Sequence, residues 1–285
     1  MLEMFWNPRK AERRPWEMFF VGLLYGSLSL LIVRWIFSQD PGLSKYSGLM
    51  IVLFAVMFTM PFMYFAIRLE EEEDARMKGF FNVMKGHAKM LSAFMWLFLG
   101  FVVAFSFWSI VLQSPFEAQI KTYCVINRPS NFEGCVNEYL PQQGQAIRET
   151  GRITGGERFL EIFSNNVYVM IFTLVFSLVF GAGAIFILAW NASVIAAAVG
   201  IFTKYDLKML PVGVARFMIH GIPEIAAYFV VATAGGMIGI AAIRHKFRSE
   251  KFWKVLQDSV SLIIIAIIIL VIAGLIEVYI TPNLF

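Results

Sequence analysis

Apolar residues run through this chain in long blocks that follow neither a strand alternation nor a one-faced helical stripe. Five blocks, 18–37, 48–67, 91–112, 167–190 and 259–280, exceed the 18 apolar residues that suffice to cross a hydrocarbon core of about 30 Å. Charge is nearly absent from them; Arg34 in the first and Glu277 in the last each stand near an end. A sixth block, 217–243, is long enough but opens with His220, Pro223 and Glu224. Pro is comfortable at the first helical position, and a carboxylate is favoured in the first turn by the helix dipole. The pattern therefore predicts a helix that starts near Pro223. The piece 191–202 would be only about 18 Å long as a helix, too short to span. It reads as a half-helix or one limb of a broken or re-entrant hairpin. The expected fold is all-α: a polytopic helical membrane protein of about six full transmembrane helices plus a broken or re-entrant segment near 191–219.

Composition agrees. Of 285 residues 59% are apolar and 15% charged, and mean hydropathy is +0.69, which leaves too few polar side chains for a water-facing surface. Soluble, disordered, collagen-like, coiled-coil and nucleic-acid-binding classes are excluded. The net charge of +4 is then a topology signal. Basic residues cluster at 1–17 (Arg9, Lys10, Arg13, Arg14), at 68–90, and at 244–258 (Arg244, Lys246, Arg248, Lys251, Lys254). Placing all three clusters in the cytoplasm needs an inside N-terminus, an outside C-terminus and seven crossings, with 191–216 supplying the awkward one. The rival, in which 191–216 dips in and returns, moves the last cluster outside and evens the charge between the two faces. Seven crossings fit better. The first apolar block is too long for a cleavable signal peptide and is expected to stay as a span.

Three regions follow: an N-terminal three-span part at 1–112 with a cytoplasmic segment at 68–90, an extracytoplasmic loop at 113–165, and a membrane core at 166–285. The loop holds Cys124 and Cys135, the chain's two cysteines, and an isolated pair in an exported loop is expected to form a disulfide. The acidic run from Glu70 to Asp74 reads as a solvated face, because consecutive helical residues point in different directions. Phe80, Phe81, Val83 and Met84 after it suggest a helix lying along the membrane surface. Phe247, Phe252 and Trp253 among the last cationic cluster suggest a strip that contacts anionic lipid head groups.

Polar residues inside spans are expensive, so each invites a functional reading. Asn165, Asn166, Asn191, His220, Glu224 and Glu277 form the candidate polar core. Capping would explain the asparagines. His220 and Glu224 could bind a cation, relay a proton or lock two helices. No third ligand for a metal stands near them, no cofactor is implied, and no catalytic motif appears. Spacings such as Gly22-x-x-x-Gly26, Gly181-x-Gly183, Ala192-x-x-x-Ala196-x-x-x-Gly200 and Gly235-x-x-x-Gly239 allow close helix approach and would suit a homo-oligomer.

From about Arg158 onwards the order of these motifs resembles the stage II sporulation protein M family. The matching pieces are Asn165-Asn166, Gly181-x-Gly183, Asn191, His220-Gly221-x-Pro223-Glu224, Gly235-Gly236-x-x-Gly239, Ile276-Glu277 and Thr281-Pro282, with Ala192 where Gly is expected. The resemblance implies a multi-pass plasma-membrane protein without its own hydrolytic site. The sporulating bacterial member is similar to a membrane scaffold that works with peptidoglycan-degrading partners. Three readings follow: a non-enzymatic scaffold that recruits protein partners through its exposed loop, an ion or small-solute channel or transporter built on the polar core, and a permease subunit coupled through 68–90 to a separate ATPase.

The topology is open to direct measurement. Single cysteines at Ser249 and Ser130, in a background lacking the native pair, should be labelled from opposite faces of sealed vesicles; equal labelling from outside would support the re-entrant arrangement.

Overall fold

The computed structural model describes residues 7–37, 46–74, 80–112, 116–127, 132–139, 155–180, 185–244 and 249–284. They form helices α1 (Pro8–Arg13), α2 (Glu17–Phe37), α3 (Ser47–Asp74), α4 (Phe80–Leu112), α5 (Glu117–Asn127), α6 (Phe132–Tyr139), α7 (Gly155–Phe180), α8 (Ile185–Thr203), α9 (Leu210–Arg244), α10 (Glu250–Leu275) and α11 (Thr281–Leu284). A π-helical turn, Ile276–Ile280, joins α10 to α11. The fold is all-α. Among the described residues seven helices are long and apolar enough to cross a membrane.

In hydrocarbon each backbone N–H and C=O must be bonded within the protein, which long helices achieve internally. Hydroxyl groups in these helices largely follow the same rule. Ser29, Thr59, Thr173 and Thr233 each donate back to the carbonyl four residues earlier, at 2.6, 2.7, 2.8 and 2.9 Å. Large apolar side chains such as Tyr168, Phe172, Ile264 and Ile268 point outward, as lipid-facing positions must.

Helix α9 sits centrally and packs against α7, α8 and α10, while α2 packs on α4 and α4 on α8. Small residues set these distances. A Cβ on Gly22 or Gly100 would run into backbone of the facing helix, so α2 and α4 touch main chain to main chain. Gly235 and Gly239 do the same for α9 against α7, where a Cβ on Gly239 would lie 2.5 Å from the Leu178 carbonyl oxygen. Gly181 and Gly183 lie outside the described residues.

Three expectations are corrected. The block 167–190 is not one span: α7 ends at Phe180 and α8 begins at Ile185, so 191–202 belongs to a 19-residue helix that is itself long enough to cross. The half-helix came from drawing the boundary ten residues late. Pro223 does not start α9; it lies inside it, thirteen residues beyond its first residue Leu210, and α9 runs unbroken through Pro223 and Glu224. Proline inside a membrane helix is tolerated where neighbouring groups take up the freed carbonyl. Finally, 80–90 is the start of the 33-residue α4 and not a separate surface helix. The side chains of Phe80, Phe81, Val83 and Met84 lie outside the described residues, as do Lys246, Phe247 and Arg248.

Close packing at Gly239 yields a test. Gly239→Leu should destabilise the protein by about 1–3 kcal/mol through overpacking. Gly156→Ala, where nothing lies within 4 Å of the added carbon, should change little. Thermal unfolding of both variants in the same detergent decides it.

Candidate functional site

The helix ends that meet at one face of the bundle are the start of α7, the end of α8, the start of α9 and the end of the last span. Between them lies a cavity of about 1080 Å³. Its wall includes all six residues of the candidate polar core: Asn165 and Asn166 from α7, Asn191 from α8, His220 and Glu224 from α9, and Glu277 from the π-helical turn. At 1.5 Å per residue, Glu224 lies about 21 Å along α9 from Leu210, Asn191 about 18 Å from the end of α8, and Asn166 about 16 Å from the start of α7. The cavity therefore reaches deep into the helix bundle. None of the asparagines caps a helix, which corrects that expectation: all three lie within α7 or α8. They stand on faces that the cavity, and not lipid, covers.

Local bonds hold these groups in place. Tyr228, fully buried one turn below, donates its hydroxyl to Glu224 at 2.8 Å. Asn191 donates to the carbonyl of Ile187 at 2.8 Å, which leaves its amide oxygen for the cavity side. His220 meets the Thr281 hydroxyl at 3.4 Å and packs edge-on against Phe217. Sequence pattern does not single out Tyr228, because a tyrosine in an apolar helix carries no signal until its partner four residues away is known to face inward.

Nearer the mouth the wall changes character. Lys204 and Arg216 line it there, while Arg158 of α7 faces Glu277, with Glu161 one turn further into the bundle. The Arg216 guanidinium lies over the Phe202 ring, 4.7 Å from its centroid. Lys204 and Tyr205 both take left-handed backbone angles, φ 52° and 59°. They close α8 in a Schellman-type end, with Lys204 N–H donating to Ile201 and Tyr205 N–H to Gly200 at 3.2 and 3.1 Å. That turn aims both side chains at the cavity. Across the mouth lie Tyr123 of α5 and Tyr139 of α6. These two short helices are joined by the Cys124–Cys135 disulfide, whose Cα atoms are 5.7 Å apart. Gln119 anchors α5 to the start of α3 by donating to the Gly48 carbonyl at 3.0 Å. Beyond Glu224 along α9, Phe229 is buried in the core, stacked on Phe94 at 5.1 Å and edge-on to Phe98.

With this geometry in view, the comparisons are specific. The family model for Stage II sporulation protein M matches residues 50–282. The chain belongs to this family. The match takes in the second and third spans as well, so it extends well upstream of the motifs that begin at Arg158. A protein of Methanocaldococcus jannaschii described as uncharacterized is 33% identical over 131 residues, 44% of this chain and 72% of the relative. No solved structure matches the chain.

This member of the stage II sporulation protein M family also carries a second polar cluster, at the opposite end of the bundle. Glu70 and Glu71 are each only 1% exposed. The first two acids of the run are therefore buried, while Glu72 and Glu73 are half-buried. Glu70 pairs with His87 of α4, while Arg244 at the end of α9 binds Glu71 at 2.6 Å and Glu72 at 3.1 Å. Arg244 is thus engaged by protein carboxylates, and Phe252 is buried in the core between α9 and α10. Lys254 pairs with Asp258 at 3.4 Å, and Lys251 is exposed. Partners 17 and 173 residues away in sequence are invisible to local pattern. Among the described residues no group of three His, Cys, Asp or Glu side chains is placed to hold a metal ion.

Helix α1 adds Glu12 to this end. Burial, reinforced by the Glu70 and Glu73 carboxylates and opposed by Lys89 and Arg9, pushes its carboxyl from 4.5 up to about 7. Between those values the folded chain holds a proton that the unfolded chain has released, so this group lowers stability as pH rises through the window. Glu12→Gln should therefore match the parent's melting temperature near pH 4.5 and exceed it at pH 8. Equal melting curves at both pH values would show that Glu12 is not held this way.

Proposed function

We propose that this protein acts without covalent chemistry, as a transport protein that takes a small polar solute or ion into the cavity from the disulfide face. One observation carries the reading: six polar residues scattered over 113 positions of sequence, Asn165 to Glu277, converge on one deep cavity. A helix lock needs a pair of partnered side chains; it does not need a chamber of about 1080 Å³ around them. Transport sites sit near the bilayer midplane, lined by polar groups that hydrocarbon would not tolerate. The cavity's lining residues lie towards the disulfide face, and five residues beyond Glu224 on α9 Phe229 packs in the core on Phe94 and Phe98. That asymmetry fits one limb of an alternating-access cycle, with the buried ion pairs of Glu70, Glu71 and Arg244 holding the opposite end shut.

The scaffold reading asks for an exposed loop that recruits partners. In its described part that loop, α5 with α6, lies across the cavity mouth and is tied down through Gln119. The ATPase-coupled reading asks for a coupling helix at 68–90, whose described residues are instead the ends of two spans. The lipid bilayer remains the partner that the outward apolar faces imply, and orientation with the disulfide face outside remains part of the proposal.

Proteoliposomes of the whole chain, incubated with a mixed extract of small polar metabolites and analysed by mass spectrometry of the lumen, test the proposal. At least one solute should accumulate several-fold over protein-free liposomes, and Glu224→Gln should abolish that while leaving the melting temperature close to the parent's. Asn191→Cys should react with a membrane-impermeant maleimide from the disulfide face. Unchanged lumen contents together with an unreactive Cys at 191 would defeat the proposal.

A further inference from the structure

The cavity is stratified by charge. Its mouth carries Lys204, just beyond the end of α8, and Arg216, near the start of α9. Its floor carries Glu224 and Glu277 with amides around them, and between the two layers α7 contributes Glu161 and Arg158, whose charge faces Glu277. The level of the two floor acids can be derived. Thr281 touches His220 at 3.4 Å, which sets the register between the last span and α9. The two helices run in opposite directions, so four residues inward from each contact brings Glu277 and Glu224 to about the same depth. Arg216 lies eight residues from Glu224, about 12 Å along the helix axis, on the side of the mouth. Its stacking on Phe202 and the left-handed turn at Lys204 fix the cations there.

A low-dielectric wall makes each layer felt by an entering ion. A bare cation meets the basic mouth first, and a bare anion that passes it meets two carboxylates at the floor. A molecule with both charges satisfies both layers at once if its cationic end leads. On the transport reading above, we infer that the solute is a small zwitterion with its charges several ångströms apart, bound with its ammonium group towards Glu224 and Glu277 and its carboxylate or other anionic end towards Lys204 and Arg216. The asparagines supply donors and acceptors to the uncharged middle. The size of the chamber suits an extended molecule better than one whose charges sit on adjacent carbons.

Three probes of one length isolate charge from shape: 6-aminohexanoate, 1,6-diaminohexane and adipate. Binding is measured by equilibrium dialysis on the whole chain in lipid nanodiscs. The zwitterion should bind at least about tenfold more tightly than either partner. Arg216→Gln should weaken the zwitterion while improving the diamine, and Glu224→Gln should weaken it while improving adipate. A structural collapse would lower all three together, so this crossed response is specific to charge reading. The inference fails if the diamine or adipate binds as well as the zwitterion, or if none of the three binds. Because metabolite uptake is scored without assuming any solute class, accumulation of uncharged or singly charged solutes would remove this inference and leave the transport reading standing.

Discussion

Hydrocarbon offers no hydrogen bonds, and the architecture follows from that one deficit. An unsatisfied polar group costs roughly 2–7 kcal/mol on transfer to an apolar medium, so a polar side chain inside a span must find a partner, turn back on its own helix, or reach water. The hydroxyls of Ser29, Thr59, Thr173 and Thr233 take the second course. The amides and carboxylates of α7, α8, α9 and the last span are too numerous and too demanding for it. They are gathered on inward faces around a shared chamber instead. Close approach at Gly235 and Gly239 brings α7 hard against α9 just below that chamber, where no polar lining is required. The same helix pair is thus tight where it is apolar and open where it is not.

The two ends of the bundle answer the same deficit differently. At one end, polar side chains pair with each other: Glu70 with His87, and Glu71 and Glu72 with Arg244. Such pairs add little net stability, since desolvation offsets attraction, yet breaking one leaves a lone buried charge and is costly. They specify which helix ends belong together. At the other end, charges of both signs line a space and are held by rings, turns and a disulfide clamp.

Much of this was legible from pattern. Seven crossings, the cysteine pair and the list of polar positions in the membrane all come from run length, residue type and charge bias. What pattern could not supply was registration. The stretch Gly181-Ala182-Gly183-Ala184 contains nothing polar, so the division between α7 and α8 carried no mark in hydropathy, and a true span was shortened to a fragment. Pro223 and Glu224 look like a helix start because both are favoured there; only the neighbouring helices reveal that they sit in mid-helix facing a cavity. The burial of Glu71 depends on Arg244, which belongs to a helix four spans further along. Tertiary partners decide these features, and a single sequence does not contain their distances.

The π-helical turn at Ile276–Ile280 has a consequence for how this wall can change. A π turn accommodates its chain with a wider hydrogen-bonded ring than the helix on either side. Each residue in an α-helix advances by about 100° around the axis. Relaxing this segment to an ordinary helix at unchanged length would swing everything after it by roughly that angle. Thr281 would then leave His220 and present itself to lipid, while the upstream face of α10 stayed where it was. The wider turn, as much as residue identity, therefore keeps this wall of the chamber facing inward, and a change that favours ordinary helix there would rotate it out of place.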